Sequence, residues 1–250
     1  MIELPADTVH LWHGGLDVGD AGYERLGSVL NASEWARACR FLSEQHRRGY
    51  VAARGQLRCL LSHYLPLTPE AIVFTVGEHG KPRLADTEPD QGVVFNLSHS
   101  GSQLLIAVGR DSVLGVDIEA WRDISNLAGM VDRCFAPTEQ LYWSSLAAGS
   151  RTAAFYAFWT RKEAFVKAVG RGISLGLEHC VIGLEPSVHF ISLPYGFGDP
   201  CEWRLLDIDV GGGVSAALAM RPAGRDVLYG ELTRQWSRDD RFPSIARRLQ

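Results

Sequence analysis

The segment FYAFWTRKEAFVKAVGRGI, residues 155–173, reads as one helix with two chemically different faces. On a helical period of about 3.6 residues, Trp159, Glu163 and Lys167 project from one side. Aromatic and β-branched residues surround them, and the glycines of the GRG run at 170–172 end the helix. A carboxylate and an ammonium group one turn apart indicate either a solvent-exposed Glu–Lys pair or a functional site.

A second segment, VLGVDIE at residues 113–119, reads as a β-strand that becomes acidic at its end. Side chains alternate along a strand, so Asp117 and Glu119 face one side and the apolar residues between them face the other. Two neighbouring carboxylates repel each other unless a cation lies between them, and Mg²⁺ prefers oxygen ligands. With Glu163 as a third carboxylate, the two segments would form a pocket for a metal ion and a polyphosphate. The alternative is a strand end with ordinary surface acids.

Together with FNLSHS at residues 95–100, these segments resemble the surfactin-type (Sfp-like) phosphopantetheinyl transferases. GVDIE (115–119) and WTRKEAFVK (159–167) follow in the order and approximate spacing of that family, over a region from about Glu34 to about Ala219. Three separated motifs with compatible chemistry are far more specific than any one of them alone. The resemblance implies an α+β fold, a pseudodimer of two similar α+β halves with the active site at their junction.

The same resemblance implies how the chain is divided. An N-terminal α+β half, residues 1–112, would contact coenzyme A, and a C-terminal α+β half, residues 113–250, would carry the metal site. No family motif covers the residues from about 221 to 250, which we expect to form a peripheral tail.

The activity that the resemblance implies is Mg²⁺-dependent transfer of 4′-phosphopantetheine from coenzyme A to a serine hydroxyl of an apo acyl or peptidyl carrier protein. The other product would be adenosine 3′,5′-bisphosphate. The implied metal ligands are Asp117, Glu119 and Glu163. The implied catalytic residues are Glu163 as the first candidate for the base, with Lys167, Lys162 and His99 as charge donors. Two other classes remain open: another Mg²⁺-dependent phosphotransferase or phosphohydrolase, and a non-catalytic binding module for coenzyme A or a carrier protein.

A basic stretch lies between residues 37 and 58, with six arginines and a single acid, Glu44. Arginine matches the geometry of phosphate, although a solvated helix face would have a similar composition. In the family, basic residues of this region hold the adenosine phosphates, which implies that role for Arg37. Gly49 stands where the family usually has arginine, so Arg47 or Arg48 would replace it.

The GKP sequence at residues 80–82 indicates a stiff turn, and taken alone it is only a turn. The family has Gly-Lys-Pro at this place, which implies that Lys81 reaches the phosphates of the nucleotide. Similarly, Glu139 matches a family carboxylate near the metal. Its position at the start of a predicted helix would also be explained by the helix dipole.

Three apolar runs, 93–97, 104–108 and 113–118, predict an antiparallel meander with Ser98 and His99 at its first turn. A serine next to a histidine raises the possibility of a hydrolase, but Ser-His-Ser-Gly lacks the Gly-x-Ser-x-Gly pattern, and adjacent residues of an extended chain point apart. A turn histidine is also often a plain surface residue. The resemblance implies that Ser98 and His99 bind phosphate.

Composition excludes several classes of protein. The chain has 250 residues, 46% of them hydrophobic, and a net charge of −4, which argues against a general nucleic-acid-binding surface. Its five cysteines form no Cys-x-x-Cys pair, and there is neither a signal peptide nor an apolar run long enough to span a membrane. We therefore expect a cytoplasmic enzyme without a membrane partner, and a monomer, since a pseudodimer would complete its own site.

Overall fold

A computed structural model of the chain describes residues 1–85, 92–172, 175–232 and 245–249. Its main elements are, in chain order, β1 (Thr8–Gly15), α1 (Gly19–Ser28), α2 (Ala32–Ala38), α3 (Glu44–Leu61), β2 (Phe74–Val76), β3 (Pro82–Leu84), β4 (Val93–Ser100), β5 (Gln103–Arg110), β6 (Val113–Ala120), α4 (Leu127–Cys134), α5 (Pro137–Ser145), α6 (Ala148–Val169), β7 (Val181–Gly183), β8 (His189–Ser192), β9 (Arg204–Asp207), β10 (Val214–Arg221), β11 (Asp226–Glu231) and β12 (Ile245–Leu249). None of the described helices combines the length and apolar composition needed to cross a membrane.

The two halves of the chain repeat one order of elements. Each begins with a strand, continues through three helices of which the third is the longest, and ends with a two-stranded hairpin and two further strands. The pairing repeats as well, because β1-β5-β4 in the first half corresponds to β6-β10-β9 in the second, with antiparallel neighbours throughout. The predicted α+β pseudodimer is confirmed.

The two sheets pack against each other through the alternating residues of their strands. Val9 and Leu11 of β1 join Val116 and Ile118 of β6 in one buried cluster. The residues on the opposite faces of these strands pack against the long helices, α3 in the first half and α6 in the second. This alternation places the apolar residues of β6 between the sheets and, as predicted, directs its acidic residues towards α6.

Helix α6 lies directly on β6 because the strand has a glycine at the point of contact. A Cβ atom added to Gly115 would lie 2.2 Å from both the carbonyl oxygen of Ala164 and the amide nitrogen of Ala168. The helix begins at Ala148, seven residues before the predicted segment, and ends at Val169 as predicted. Gly170 follows it with a φ of +68°, a left-handed conformation that glycine adopts without strain. Residue 173, the last of the predicted segment, lies outside the described residues.

The predicted meander is wrong at its third strand. β4 and β5 pair as expected, but β6 belongs to the other sheet, where it pairs with β10. Both edges of β5 are already paired, one with β4 and the other with β1, so no edge is left for β6. Ser98 and His99 also lie within β4 rather than at a turn, because the strand continues to Ser100.

The prediction of a peripheral tail from about residue 221 is also wrong for β11. This strand runs parallel to β1 and lies between β1 and β12 in the sheet of the first half. Val227 is fully buried there, since the added strand covers apolar surface that β1 would otherwise expose. The C-terminal segment therefore extends the N-terminal half. The remainder of the predicted tail, residues 233–244 and 250, lies outside the described residues.

β6 is an edge strand of its own sheet, and its free edge faces the first half of the chain. The side chains of the first half take the place of a neighbouring strand along this edge. The Asn96 Oδ1 atom accepts a hydrogen bond of 2.8 Å from the Val116 amide, and Ser98 Oγ accepts one of 3.4 Å from the Ile118 amide. Besides the apolar packing of the two sheets, the junction of the halves thus includes side-chain contacts to one strand edge.

We expect Gly115→Ala to lower the free energy of unfolding by about 3 kcal/mol or more, because the new methyl group would force α6 away from β6. Urea denaturation followed by circular dichroism measures this loss. Gly149→Ala is the matched control in α6 itself, since a Cβ atom there meets nothing within 4 Å. That control should be neutral or stabilising by up to about 1 kcal/mol. Equal effects of the two substitutions would contradict the close approach.

Candidate active site

Three carboxylates come together where β6 faces α6. Asp117 is 2% exposed, Glu163 is 8% exposed, and Glu119 is half-buried at the end of the strand. The Lys167 ammonium lies 2.6 Å from Asp117 Oδ1. The structure thus brings together the three predicted metal ligands and one of the predicted charge donors, as the helix period and the strand alternation require.

This cluster carries more negative than positive charge, and the pKa values of two of its acids are raised. Burial, followed by the Asp117 carboxylate, raises the pKa of Glu163 to about 7, while Lys167 opposes the shift and Glu119 adds to it. Burial also raises the pKa of Glu119, against a hydrogen bond from Ser100 that lowers it. A single ammonium group therefore does not neutralise the three carboxylates.

Two carboxylate oxygens of the cluster are suited to a cation. Asp117 Oδ2 and Glu163 Oε1 are buried and have no hydrogen-bond partner among the described residues. Such oxygens are costly to leave unpaired, and three carboxylates are the hard donors that Mg²⁺ binds. Across the described ranges, however, no three Asp, Glu, His or Cys side chains have the spacing of a formed metal site. The donor set fits the ion, and the side chains would have to close around it.

Two serines of β4 hold the carboxylates of β6. Ser98 Oγ donates a hydrogen bond of 2.9 Å to Asp117 Oδ1 and accepts one of 2.7 Å from Lys167. Ser100 Oγ donates a bond of 2.6 Å to Glu119 Oε2. Ser100 and Asn96 are not among the predicted site residues. The signal was the two-residue period of Asn96, Ser98 and Ser100, which places three polar side chains on the face that meets β6.

His99 lies beside this cluster on β4. Its side chain is exposed, yet the surrounding protein reduces its hydration, and this, followed by the Lys167 ammonium, lowers the pKa of the imidazole. The predicted phosphate-binding roles of Ser98 and His99 stay predictions. The exposed imidazole remains accessible to a ligand, whereas the Ser98 hydroxyl is already engaged by Asp117 and Lys167.

The predicted role of Lys162 as a charge donor is wrong. This lysine is fully buried and lies 2.7 Å from Glu139 Oε2. Its ammonium also donates to the carbonyl oxygens of Leu177, at 2.9 Å, and Cys180. Successive residues on a helix are separated by about 100°, so Lys162 points away from the face that carries Glu163.

Glu139 has a structural environment of its own. One oxygen accepts a hydrogen bond of 2.7 Å from the Ala136 amide at the start of α5, and the other accepts one of 2.8 Å from the Ile182 amide. With Lys162, this carboxylate ties α5, α6 and the segment after α6 to one another. The helix-start explanation of Glu139 is therefore correct, and none of these partners belongs to the carboxylate cluster.

Five of the six arginines of residues 37–58 divide into two groups. Arg54 and Arg58 form ion pairs of 3.0 and 2.8 Å with the buried carboxylate of Glu34, so they stabilise the first half. The three arginines predicted to bind phosphate lie nearer the surface and have weaker or more exposed partners, namely Arg37 above the Tyr50 ring, Arg47 at 3.8 Å from Glu44, and Arg48 at 2.8 Å from Asp20. Their phosphate-binding roles stay predictions.

A cavity of about 290 Å³ lies next to the cluster, at the junction of the halves. The residues that line it include Lys81, Asn96, Leu97, Glu163, Lys167 and Gly170. The Lys81 ammonium donates to the carbonyl oxygens of Leu114, at 2.9 Å, and Ala168, at 2.8 Å, and burial lowers its pKa to about 8. A substrate in this cavity would contact both the carboxylate cluster and the first half of the chain.

Known proteins share both halves of this arrangement. A family model described as the 4′-phosphopantetheinyl transferase superfamily matches residues 113–219, and one described as the N-terminal region of 4′-phosphopantetheinyl transferase matches residues 19–110. The chain is 36% identical over 223 residues to the 4′-phosphopantetheinyl transferase HetI of Nostoc sp., which covers 89% of this chain and 92% of that protein. It is 38% identical over 184 residues to a putative 4′-phosphopantetheinyl transferase of Synechocystis sp., with 74% and 72% covered. The 4′-phosphopantetheinyl transferase Sfp of Bacillus subtilis is 29% identical over 189 residues, with 75% and 81% covered.

We expect Glu163→Gln to change how stability depends on pH in the metal-free protein. Folding disfavours the ionised carboxylate, so stability falls as the pH rises from about 4.5, the ordinary pKa, through about 7. The variant lacks this loss and should gain roughly 1–3 kcal/mol relative to the native sequence between about pH 5 and about pH 8. Urea denaturation in the presence of EDTA measures the difference. Glu24→Gln, at an exposed acid of α1, is the control and should show the same dependence of stability on pH as the native sequence. The same dependence in all three proteins would disprove the raised pKa of Glu163.

We expect Lys162→Met to lower the free energy of unfolding by about 3–5 kcal/mol, because it leaves the Glu139 carboxylate buried without its cation. The double variant Glu139→Gln/Lys162→Met should lose less, since it leaves no buried charge unpaired. Both values come from chemical denaturation. If the Lys162→Met protein were fully stable and impaired only in its reaction, the predicted role of Lys162 as a charge donor would be supported after all.

Proposed function

Because the chain belongs to the 4′-phosphopantetheinyl transferase superfamily and is a transferase, we propose that it moves the 4′-phosphopantetheine group of coenzyme A to a carrier protein. The acceptor would be a serine hydroxyl of an apo acyl or peptidyl carrier protein, and the reaction would depend on Mg²⁺. The products would be the holo carrier protein and adenosine 3′,5′-bisphosphate.

One observation supports this proposal most directly. Asp117, Glu119 and Glu163 face one another beside a single ammonium group, that of Lys167, and two of their buried oxygens have no partner among the described residues. A divalent cation supplies the positive charge that such a cluster lacks, and it can bind the oxygens of a pyrophosphate at the same time. The adjacent cavity at the junction of the halves offers space for the substrate.

The carboxylates would hold Mg²⁺, which supplies positive charge to the phosphoryl oxygens when it is bound. Lys167 would place its ammonium beside the same oxygens, and the accessible imidazole of His99 would donate a hydrogen bond to phosphate. The adenosine end of coenzyme A would extend towards the exposed arginines of the first half, where Arg37, Arg47 and Arg48 would pair with its phosphates.

The chemical step would be a substitution at the phosphorus that carries the pantetheine group. The serine oxygen forms a new bond to this phosphorus, the bond to the bridging oxygen of the pyrophosphate breaks, and adenosine 3′,5′-bisphosphate leaves. The serine proton passes to a carboxylate. Glu163 is the first candidate, because it lines the cavity in which the substrate would lie. Glu119, whose pKa is raised chiefly by burial, is the second.

We expect the purified protein, given Mg²⁺ and coenzyme A, to add the mass of one phosphopantetheine group to an apo carrier protein. Asp117→Ala and Glu163→Gln should each lower the rate by about 10³-fold or more, because each removes charge from a site that depends on it. EDTA should stop the reaction, and excess Mg²⁺ should restore it. Intact-protein mass spectrometry measures the product, with Glu24→Gln as the active control.

The acceptor panel should include carrier proteins of fatty-acid, polyketide and nonribosomal-peptide synthesis. An unchanged mass across the whole panel would rule out the proposed transfer. Release of phosphate from coenzyme A alone would instead identify a phosphohydrolase.

A further inference from the structure

Lysine is rare in this chain, and its positions are informative. The sequence has 22 arginines but three lysines, Lys81, Lys162 and Lys167. Lys167 belongs to the carboxylate cluster and Lys162 to the buried pair with Glu139. Lys81 is the third, and two of its three N–H groups bind the backbone carbonyls of Leu114 and Ala168. A lysine that binds phosphate would instead have most of its N–H groups available to the ligand.

The two contacts of Lys81 connect the halves of the molecule. Lys81 lies at the tip of the β2–β3 hairpin, where its own carbonyl oxygen accepts a hydrogen bond of 2.9 Å from the Gly77 amide. Both of its acceptors belong to the second half, Leu114 to β6 and Ala168 to the last turn of α6. A side chain on a closed turn of one half therefore holds a strand and a helix of the other.

Each acceptor has a physical need for this donor. Ala168 is among the last four residues of α6, whose carbonyl oxygens have no partner within the helix. A cation at a helix C-terminus is also favoured by the helix dipole. The carbonyl of Leu114 lies in β6, the edge strand whose Val116 and Ile118 amides are bound by side chains of β4. Lys81 adds a further contact from the first half, here to the backbone of that strand.

The stem of Lys81 lies against the end of α6. A Cβ atom at Gly170 would be in van der Waals contact with Lys81 Cδ, at 3.4 Å. The acceptor Ala168 directly follows Lys167, and Glu163 lies on the same helix. Any shift of the last turn of α6 would therefore move groups of the carboxylate cluster.

We propose that Lys81 is a positioning residue that fixes α6 and β6 against the first half, and with them the orientation of Glu163 and Lys167, instead of binding a phosphate of coenzyme A. The effect of Lys81 on the reaction rests on the proposed transferase function. Its effect on the local stability of α6 and β6 in the ligand-free protein does not rest on that function, so the experiments can distinguish failure of this proposal from failure of the proposed function.

The decisive test uses the protein without any substrate. Lys81→Met keeps an aliphatic side chain of similar length and removes the N–H donors. Amide hydrogen exchange should therefore become roughly 5- to 30-fold faster in the last turn of α6, residues 166–169, and in residues 114–116 of β6. Lys81→Arg, which keeps a cation able to donate to two carbonyls, should restore much of the protection. Unchanged exchange in Lys81→Met would overturn the proposal, because a phosphate ligand has no role in the ligand-free protein.

Arg83→Met is the matched control, since it removes a cation from the same hairpin. Arg83 is exposed and donates a hydrogen bond of 3.2 Å to Thr75, which lies in that hairpin too. Its loss should leave exchange in α6 and β6 as it is in the native protein. If Lys81→Met does not fold while Lys81→Arg does, the bracing contact is supported, because loss of a phosphate ligand alone would not prevent folding.

Steady-state kinetics then show whether the contacts of Lys81 with Leu114 and Ala168 position the active-site groups. We expect Lys81→Met to lower kcat by about 10-fold or more, because the misplaced groups act on the chemical step. A raised KM for coenzyme A with unchanged kcat would instead identify a phosphate contact and overturn the proposal. Faster exchange with unchanged kcat and KM would show that Lys81 stabilises α6 and β6 without positioning the active-site groups, and this result would also overturn the proposal.

Discussion

The free edge of β6 is the constraint on which the molecule depends. A buried strand edge must find partners for its amide and carbonyl groups, since each unpaired group costs free energy comparable to a lost hydrogen bond. Here the partners are side chains of the other half, with Asn96 and Ser98 on two amides and Lys81 on a carbonyl. Alternate residues of the same strand are the acids of the active site. The contacts that join the halves therefore also assemble the carboxylate cluster, and Ser98 takes part in both.

The distribution of charge distinguishes the parts of the interior that stabilise the fold from the part that is suited to chemistry. Lys162 and Glu139 neutralise each other and use nearby backbone groups for their remaining hydrogen bonds. Lys167, five residues further along the helix, stands among three carboxylates that it cannot neutralise. Buried carboxylates with too few neighbouring cations lower the stability of a folded protein. A free-energy cost of this kind is typical of sites that bind a charged ligand.

Much of the fold was readable in the sequence. The strand β6 and the shared direction of Asp117 and Glu119 follow from local periodicity, and the end of α6 follows from Gly170. The α+β class is implied by the family resemblance. Most of the errors were non-local, whereas the local helix period already separates Lys162 from Glu163. Nothing near β6 in the sequence shows that both edges of β5 are occupied, or that β11 returns to pair with β1. The arginine-rich stretch was read as one surface, although Arg54 and Arg58 are used by Glu34, which lies on another helix.

By itself, the sequence determined which side chains share a face, because the periods of helix and strand are set by backbone geometry that every residue obeys. The family resemblance then joined Asp117, Glu119, Glu163 and Lys167 as candidates for one site. The tertiary structure alone decided which lysine serves which purpose. Lys81, Lys162 and Lys167 carry the same ammonium group. Their roles differ because an ammonium group donates to whichever oxygens surround it, and those oxygens belong to segments far away in the chain.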